Sequence, residues 1–131
     1  MPVAKPRVLV ADDSQVMREV LKAIVRAEGF AGAVEAVDGL SVMGAVLRNE
    51  PDIVCLDINM PGRTGLEVLR EIRAHAPAVK VVMITSDNSM NSIRVAIGHG
   101  AHGYIIKPFN QAKVGKSLWD SLSSDDSPNF S

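Results

Sequence analysis

Four short runs, RVLVA (7–11), DIVCLD (52–57), KVVMIT (80–85) and GYIIK (103–107), are apolar and rich in β-branched residues, yet none alternates between apolar and polar positions. A strand with one wet face alternates, whereas a strand covered on both faces does not. Such runs therefore point to a parallel sheet with helices on each side. A weaker run, AVEAV (33–37), alternates around Glu35 and reads as an edge strand. Amphipathic stretches fill the gaps. Helix periodicity over 15–28 places Val16, Val20, Leu21 and Ile24 on one face, and over 39–49 it places Leu40, Met43, Val46 and Leu47 together. Residues 65–75 turn Leu66, Leu69 and Ile72 inward, 88–98 offer Met90, Ile93 and Ile97, and 111–122 offer Val114, Leu118 and Leu122. TGLE at Thr64–Glu67 has the form of a capping box, and Asn110 suits an N-cap. Gly29, Pro51, Pro77 and Gly98 stand where helices should stop. The result is a βα unit repeated five times, an α/β fold with a doubly wound five-stranded parallel sheet, right-handed crossovers and helices on both faces.

A chain of 131 residues that is 47% hydrophobic can build one core, so a single domain over 1–122 is expected. The polar stretch SSDDSPNFS (123–131) reads as a disordered tail. With 14 basic against 15 acidic residues there is no charge surplus for nucleic acid or a membrane surface. No apolar stretch is long enough to span a bilayer, and MPVAKPRVLV lacks a signal-like apolar region. The single Cys55 excludes a disulfide framework, reads as a small core residue and suits a reducing cytoplasm.

In sheets of this kind ligands bind beyond the carboxyl ends of the strands. The first strand ends in Asp12-Asp13, the third in Asp57, the fourth in Thr85-Ser86 and the fifth in Lys107-Pro108. Three carboxylates at one rim repel one another, and a hard divalent cation removes that cost; an all-oxygen set with room for water suits Mg²⁺. Each piece alone has a plainer reading. Asp13 or Ser14 could merely cap a helix, Asp57 could be an exposed strand end, Thr85 an ordinary strand residue and Lys107 a solvated terminus. Their coincidence at four strand ends asks for a common reason.

The segments VLVADDS, VCLDINMPGRTGLEVL, VVMITSD and GYIIKPF resemble the receiver domain of two-component response regulators, the CheY-like, flavodoxin-like (βα)5 fold, from about Arg7 to Leu122. The resemblance implies strand order 2-1-3-4-5. It implies that Asp57 accepts a phosphoryl group from a histidine kinase or a histidine phosphotransfer protein. Asp13, Asp57 and the backbone carbonyl of Asn59 would bind Mg²⁺, with Asp12 helping through water. Thr85 would hydrogen-bond the phosphoryl oxygen, Lys107 would pair with it, and Tyr104 would be the switch aromatic. The Lys107-Pro108 peptide is expected to be cis. Asn59 and Asp87, two positions after Asp57 and Thr85, are expected to flank the path of attacking water. The output surface would be the face made by helix 88–98, strand 103–107 and helix 111–122, carrying Ile97, Ala101, Tyr104 and Trp119 to a downstream protein. On this reading Tyr104 turns inward when the pocket is phosphorylated. The chain would be a cytoplasmic, stand-alone monomer and a phosphoacceptor switch rather than an enzyme; a fragment of a longer regulator is the alternative.

Other signals carry less. GHGAHG (98–103) matches a dinucleotide-binding glycine pattern, but it follows a helix and precedes a strand, the wrong order, and reads as a cap and turn. His99 and His102 within it read as solvent-exposed. Trp119 reads as partly buried. A haloacid-dehalogenase-like phosphatase would carry D-x-D after the first strand, where this chain has ADDS. A receiver that works without phosphorylation typically lacks an acidic residue, the acceptor or the lysine, and all are present.

Overall fold

The computed structural model describes residues 4–123. The strands are β1 (Val8–Ala11), β2 (Ala33–Ala36), β3 (Ile53–Leu56), β4 (Lys80–Thr85) and β5 (Gly103–Ile106). The helices are α1 (Gln15–Ala27), α2 (Gly39–Asn49), α3 (Gly65–His75), α4 (Met90–Gly98) and α5 (Gln111–Ser123). The five strands form one parallel sheet in the order β2-β1-β3-β4-β5, with the polar-centred β2 at an edge. Of the tail expected at 123–131, Ser123 closes α5 and the remainder lies outside the described residues.

Side-chain alternation along the strands divides the core in two. Leu9, Ala11, Val54, Leu56, Val81 and Met83 face one side, where they meet Val42 and Val46 of α2, Leu69 and Ile72 of α3 and Ala96 of α4. Val8, Val10, Ile53, Cys55, Val82 and Ile84 face the other, against Leu21 and Val25 of α1 and Val114 and Leu118 of α5. Both faces are dry, which is why these strands carry no polar alternation.

Several helical residues expected inward are outside. Val16 is 73% and Leu40 71% exposed; Val20, Leu47, Met90 and Ile97 are also exposed. The inner faces instead use Leu21, Ile24 and Val25 in α1, Gly39, Val42, Ala45 and Val46 in α2, and Ser92 and Ala96 in α4. In α2 and α4 the inner positions are taken mostly by small residues, and the larger apolar ones turn outward. Trp119 stacks on Phe30 with ring centroids 4.4 Å apart, and its indole N–H donates to the Glu28 carbonyl, so it faces the end of α1 and not α4. Ala101 is fully buried and lies beneath the surface expected to display it. His102 is buried too, not exposed: its amide donates to the Val81 carbonyl at 2.7 Å and its Nδ1 accepts the Val81 N–H at 3.1 Å. The imidazole thereby adds a rung between β4 and β5.

The helix starts follow local chemistry. Ser14, Asp38, Thr64 and Ser89 each sit in extended backbone and accept an amide of the following first turn. The α4 helix therefore begins at Met90, two residues later than expected. At the end of α2, Glu50 adopts a left-handed conformation (φ 46°, ψ 57°) immediately before Pro51.

Candidate functional site

The register sets the site. Ala11 lies opposite Leu56, so Asp12 and Asp57 leave the sheet side by side; Thr85 lies opposite Ile106, so Lys107 leaves beside the end of β4. One carboxylate oxygen from each of Asp12, Asp13 and Asp57 falls within 4.8 Å of the others. Asp12 is 1% and Asp57 6% exposed, whereas Asp13 faces solvent.

Asp12 is oriented at both oxygens. Oδ1 accepts the Ser14 amide at 2.9 Å, and Oδ2 accepts the Lys107 ammonium at 2.8 Å. The same ammonium donates to Asp57 Oδ2 at 3.1 Å, while Asp57 Oδ1 accepts the Asn59 amide at 3.3 Å. Lys107 thus joins the first, third and fifth strands across one pocket. Burial by itself would lower the lysine, but the Asp12 hydrogen bond and the field of Asp57 outweigh it and leave its pKa raised. The Lys107-Pro108 bond is cis, as expected.

Supporting residues that the sequence reading passed over hold this arrangement. Arg18 reaches from α1 to donate to the Asp12 carbonyl at 2.9 Å and to Glu35 of β2 at 2.9 Å, fixing the turn that presents the acidic pair. Gly65, the first residue of α3, lies against the backbone of Asp57. The arginine offered a signal: it stands one helical turn past the Ser14 cap, on the side of Glu35.

Beyond the carboxylates, Thr85 is fully buried and its Oγ1 accepts the Asp87 amide at 3.2 Å. The Asp87 carboxylate is turned onto α4, where it accepts the Ser89 amide at 3.0 Å and the Ser92 hydroxyl at 2.5 Å. Those partners, Ser92 foremost, hold its carboxyl below the usual range. This differs from the expectation that Asp87 flanks the path of attacking water. Asn59 is exposed and stays at the rim. Tyr104 is 6% exposed and already points inward, its hydroxyl donating to the Asp87 carbonyl at 2.6 Å. Burial, then the negative fields of Asp87 and Asp57, push its phenol up to about 12.

Residues 8–118 match the family model described as the response regulator receiver domain. The chain belongs to that family. Receiver domains are phosphoacceptor switches of two-component signalling that bind Mg²⁺ at an acidic pocket. The chain is 38% identical over 112 residues to the chemotaxis protein CheY of Listeria monocytogenes, covering 86% of this chain and 94% of that protein. It is 36% identical over 114 residues to the DNA-binding response regulator MtrA of Mycobacterium tuberculosis, covering 87% of this chain but 49% of that protein. Among solved structures, the chemotaxis protein CheY4 of Vibrio cholerae superposes with a TM-score of 0.83 at 27% identity, covering 91% of this chain and all of that one. Receiver domains thus occur in relatives both alone and joined to other segments. No helix among the described residues is long and apolar enough to cross a membrane.

Proposed function

We propose that this receiver accepts a phosphoryl group on Asp57 from a histidine kinase or histidine phosphotransfer protein, in a Mg²⁺-dependent reaction. The carrying observation is the Lys107 ammonium shared by Asp12 and Asp57 beside Asp13. Three oxygen donors within 4.8 Å, one of them open to solvent, fit a hard cation that keeps part of its water shell. Asp12, Asp13 and Asp57 would hold it, joined by the Asn59 carbonyl. When bound, Mg²⁺ offsets the negative charge shared by the pocket and the incoming phosphoryl group.

The steps left to the chain are positional. The Asn59 amide holds one Asp57 oxygen, so the carboxylate meets phosphorus in one orientation. A bond forms between an Asp57 oxygen and phosphorus, the donor's N–P bond breaks, and the leaving imidazole nitrogen takes up a proton. Lys107 turns from the carboxylates to the phosphoryl oxygens, and the Thr85 hydroxyl donates to another. The response then passes to the face made by α4, β5 and α5, where Met90, Ile97 and Ile106 stand exposed to meet a downstream protein. In this role the receiver acts in the cytoplasm as a switch that passes its state to a downstream protein.

Incubation with acetyl phosphate and Mg²⁺ should add one phosphoryl group by intact mass, and Asp57→Asn should abolish the addition. Full labelling of that variant would overturn the assignment.

A further inference from the structure

Ser92 lies on the inner face of α4, 7% exposed, at a position where an amphipathic helix ordinarily buries an apolar side chain. It makes two bonds back to the loop before its helix. Its amide donates to Ser89 Oγ at 3.2 Å, and its hydroxyl donates to Asp87 Oδ2 at 2.5 Å. The backbone of Asp87 in turn contacts two other strands' residues: its N–H meets Thr85 Oγ1 at 3.2 Å, and its carbonyl meets the Tyr104 hydroxyl at 2.6 Å. One residue of the loop therefore contacts the end of β4, the start of α4 and the middle of β5.

We propose that Ser92 is a positioning residue of the switch: by holding the Asp87 carboxylate on α4, it fixes the loop whose backbone engages Thr85 and retains Tyr104 inward. The proposal rests on the receiver reading only in naming Thr85 and Tyr104 as the switch pair. The bond from Ser92 is charge-assisted, the stronger class of hydrogen bond, and it is short. Without it Asp87 keeps the Ser89 amide, but nothing ties its second oxygen to the inner face of α4, and the loop can rotate. The Tyr104 hydroxyl then loses a fixed acceptor in a buried site, which favours the ring leaving. Accepting the Asp87 amide leaves the Thr85 hydroxyl its own proton to donate toward the pocket. The clasp therefore sets the outgoing half of the switch without blocking the incoming half.

A plainer role would be to cap α4. That role changes stability but leaves the ring of Tyr104 where it is, so the test reads the ring. The chain has one tyrosine, and its phenolate absorbance reports Tyr104 alone. The wild-type midpoint should lie at about 12. In Ser92→Ala it should fall toward the ordinary phenol value of about 10, while Ser92→Thr, which keeps the hydroxyl, should stay with wild type. Tyr104 ring resonances at neutral pH should show the same contrast, free of any alkaline unfolding. An unmoved ring in Ser92→Ala, or equal movement in Ser92→Thr, would overturn the proposal; a lowered melting temperature with an unmoved ring would leave only the cap. Labelling of Asp57 by acetyl phosphate should persist in both variants. Its failure in wild type as well would sink the phosphoacceptor reading and leave the clasp standing.

Discussion

Gly65 backs directly onto Asp57: a β-carbon at Gly65 would lie 2.0 Å from the Asp57 carbonyl oxygen and 2.7 Å from the Ile58 α-carbon. Both neighbours are backbone, so neither can swing aside. Gly65→Ala must push the start of α3 away from the end of β3, where the phosphoacceptor sits. The expected cost is about 3 kcal/mol, at the upper end of overpacking penalties. At temperatures where the variant remains folded, acetyl phosphate should label Asp57 more slowly than in wild type. Urea unfolding and a labelling time course check both halves; an unchanged midpoint would show that the backbone relaxes freely.

Asp13 is the exposed carboxylate of the cluster, while Lys107 engages Asp12 and Asp57. Removing its charge relieves repulsion in the metal-free pocket. Asp13→Asn should therefore raise the melting temperature without Mg²⁺ by the equivalent of about 1 kcal/mol, and should lose most of the further rise that Mg²⁺ gives wild type. Scanning calorimetry with and without the ion checks this. An undiminished Mg²⁺ response would remove Asp13 from the site.

Tyr104 gives an alkaline limb to stability. Its folded phenol titrates at about 12, above the ordinary value of 10.0, so the folded state holds that proton more tightly than the unfolded chain. The stabilisation is fully present below about pH 10 and is lost as pH rises from there toward about 12. Tyr104→Phe should flatten this limb while being less stable at neutral pH through the lost bond to Asp87. Denaturant midpoints from pH 8 upward supply the measurement, and a parallel fall in both proteins would count against it.

Glu50 holds a left-handed backbone with a β-carbon, a conformation glycine adopts without strain. Glu50→Gly should raise stability by about 0.5–1 kcal/mol, the relief being partly offset by the freer unfolded chain. The urea midpoint is the readout. A fall would mean that the Glu50 side chain contributes more than its backbone costs.

The strands and the pocket were legible because each apolar run ends in a chemically marked residue, and strand ends are where parallel sheets gather ligands. Asp12, Asp13, Asp57 and Lys107 converge as that logic requires, and Thr85 ends the strand next to that of Lys107. Helix orientation was less legible. Periodicity weighs large apolar residues most and so assigns Leu40 and Leu47 to the inner face of α2, whereas packing there uses Gly39, Val42 and Ala45. Likewise Ser92 and Ala96 replace Met90 and Ile97 inside α4. For His102 the glycine-rich turn suggests exposure, while its place just before β5 puts its ring against the Val81 amide. Arg18 and the Asp87 clasp depend on contacts between distant elements, which no local pattern announces.

The stacking of Trp119 on Phe30 has a consequence for how this protein can be watched. Helix α1 starts beside the acidic pocket and ends next to that stack, and its 13 residues span about 20 Å. The chain's single indole therefore sits at the far end of the molecule from Asp57. Its emission should follow the undocking of α5 from α1 during unfolding and stay dark to metal and phosphoryl transfer, while the lone phenol of Tyr104 sees the pocket and not the far end. Two native chromophores thus divide the molecule into a folding channel and a signalling channel, readable in one cuvette without a label.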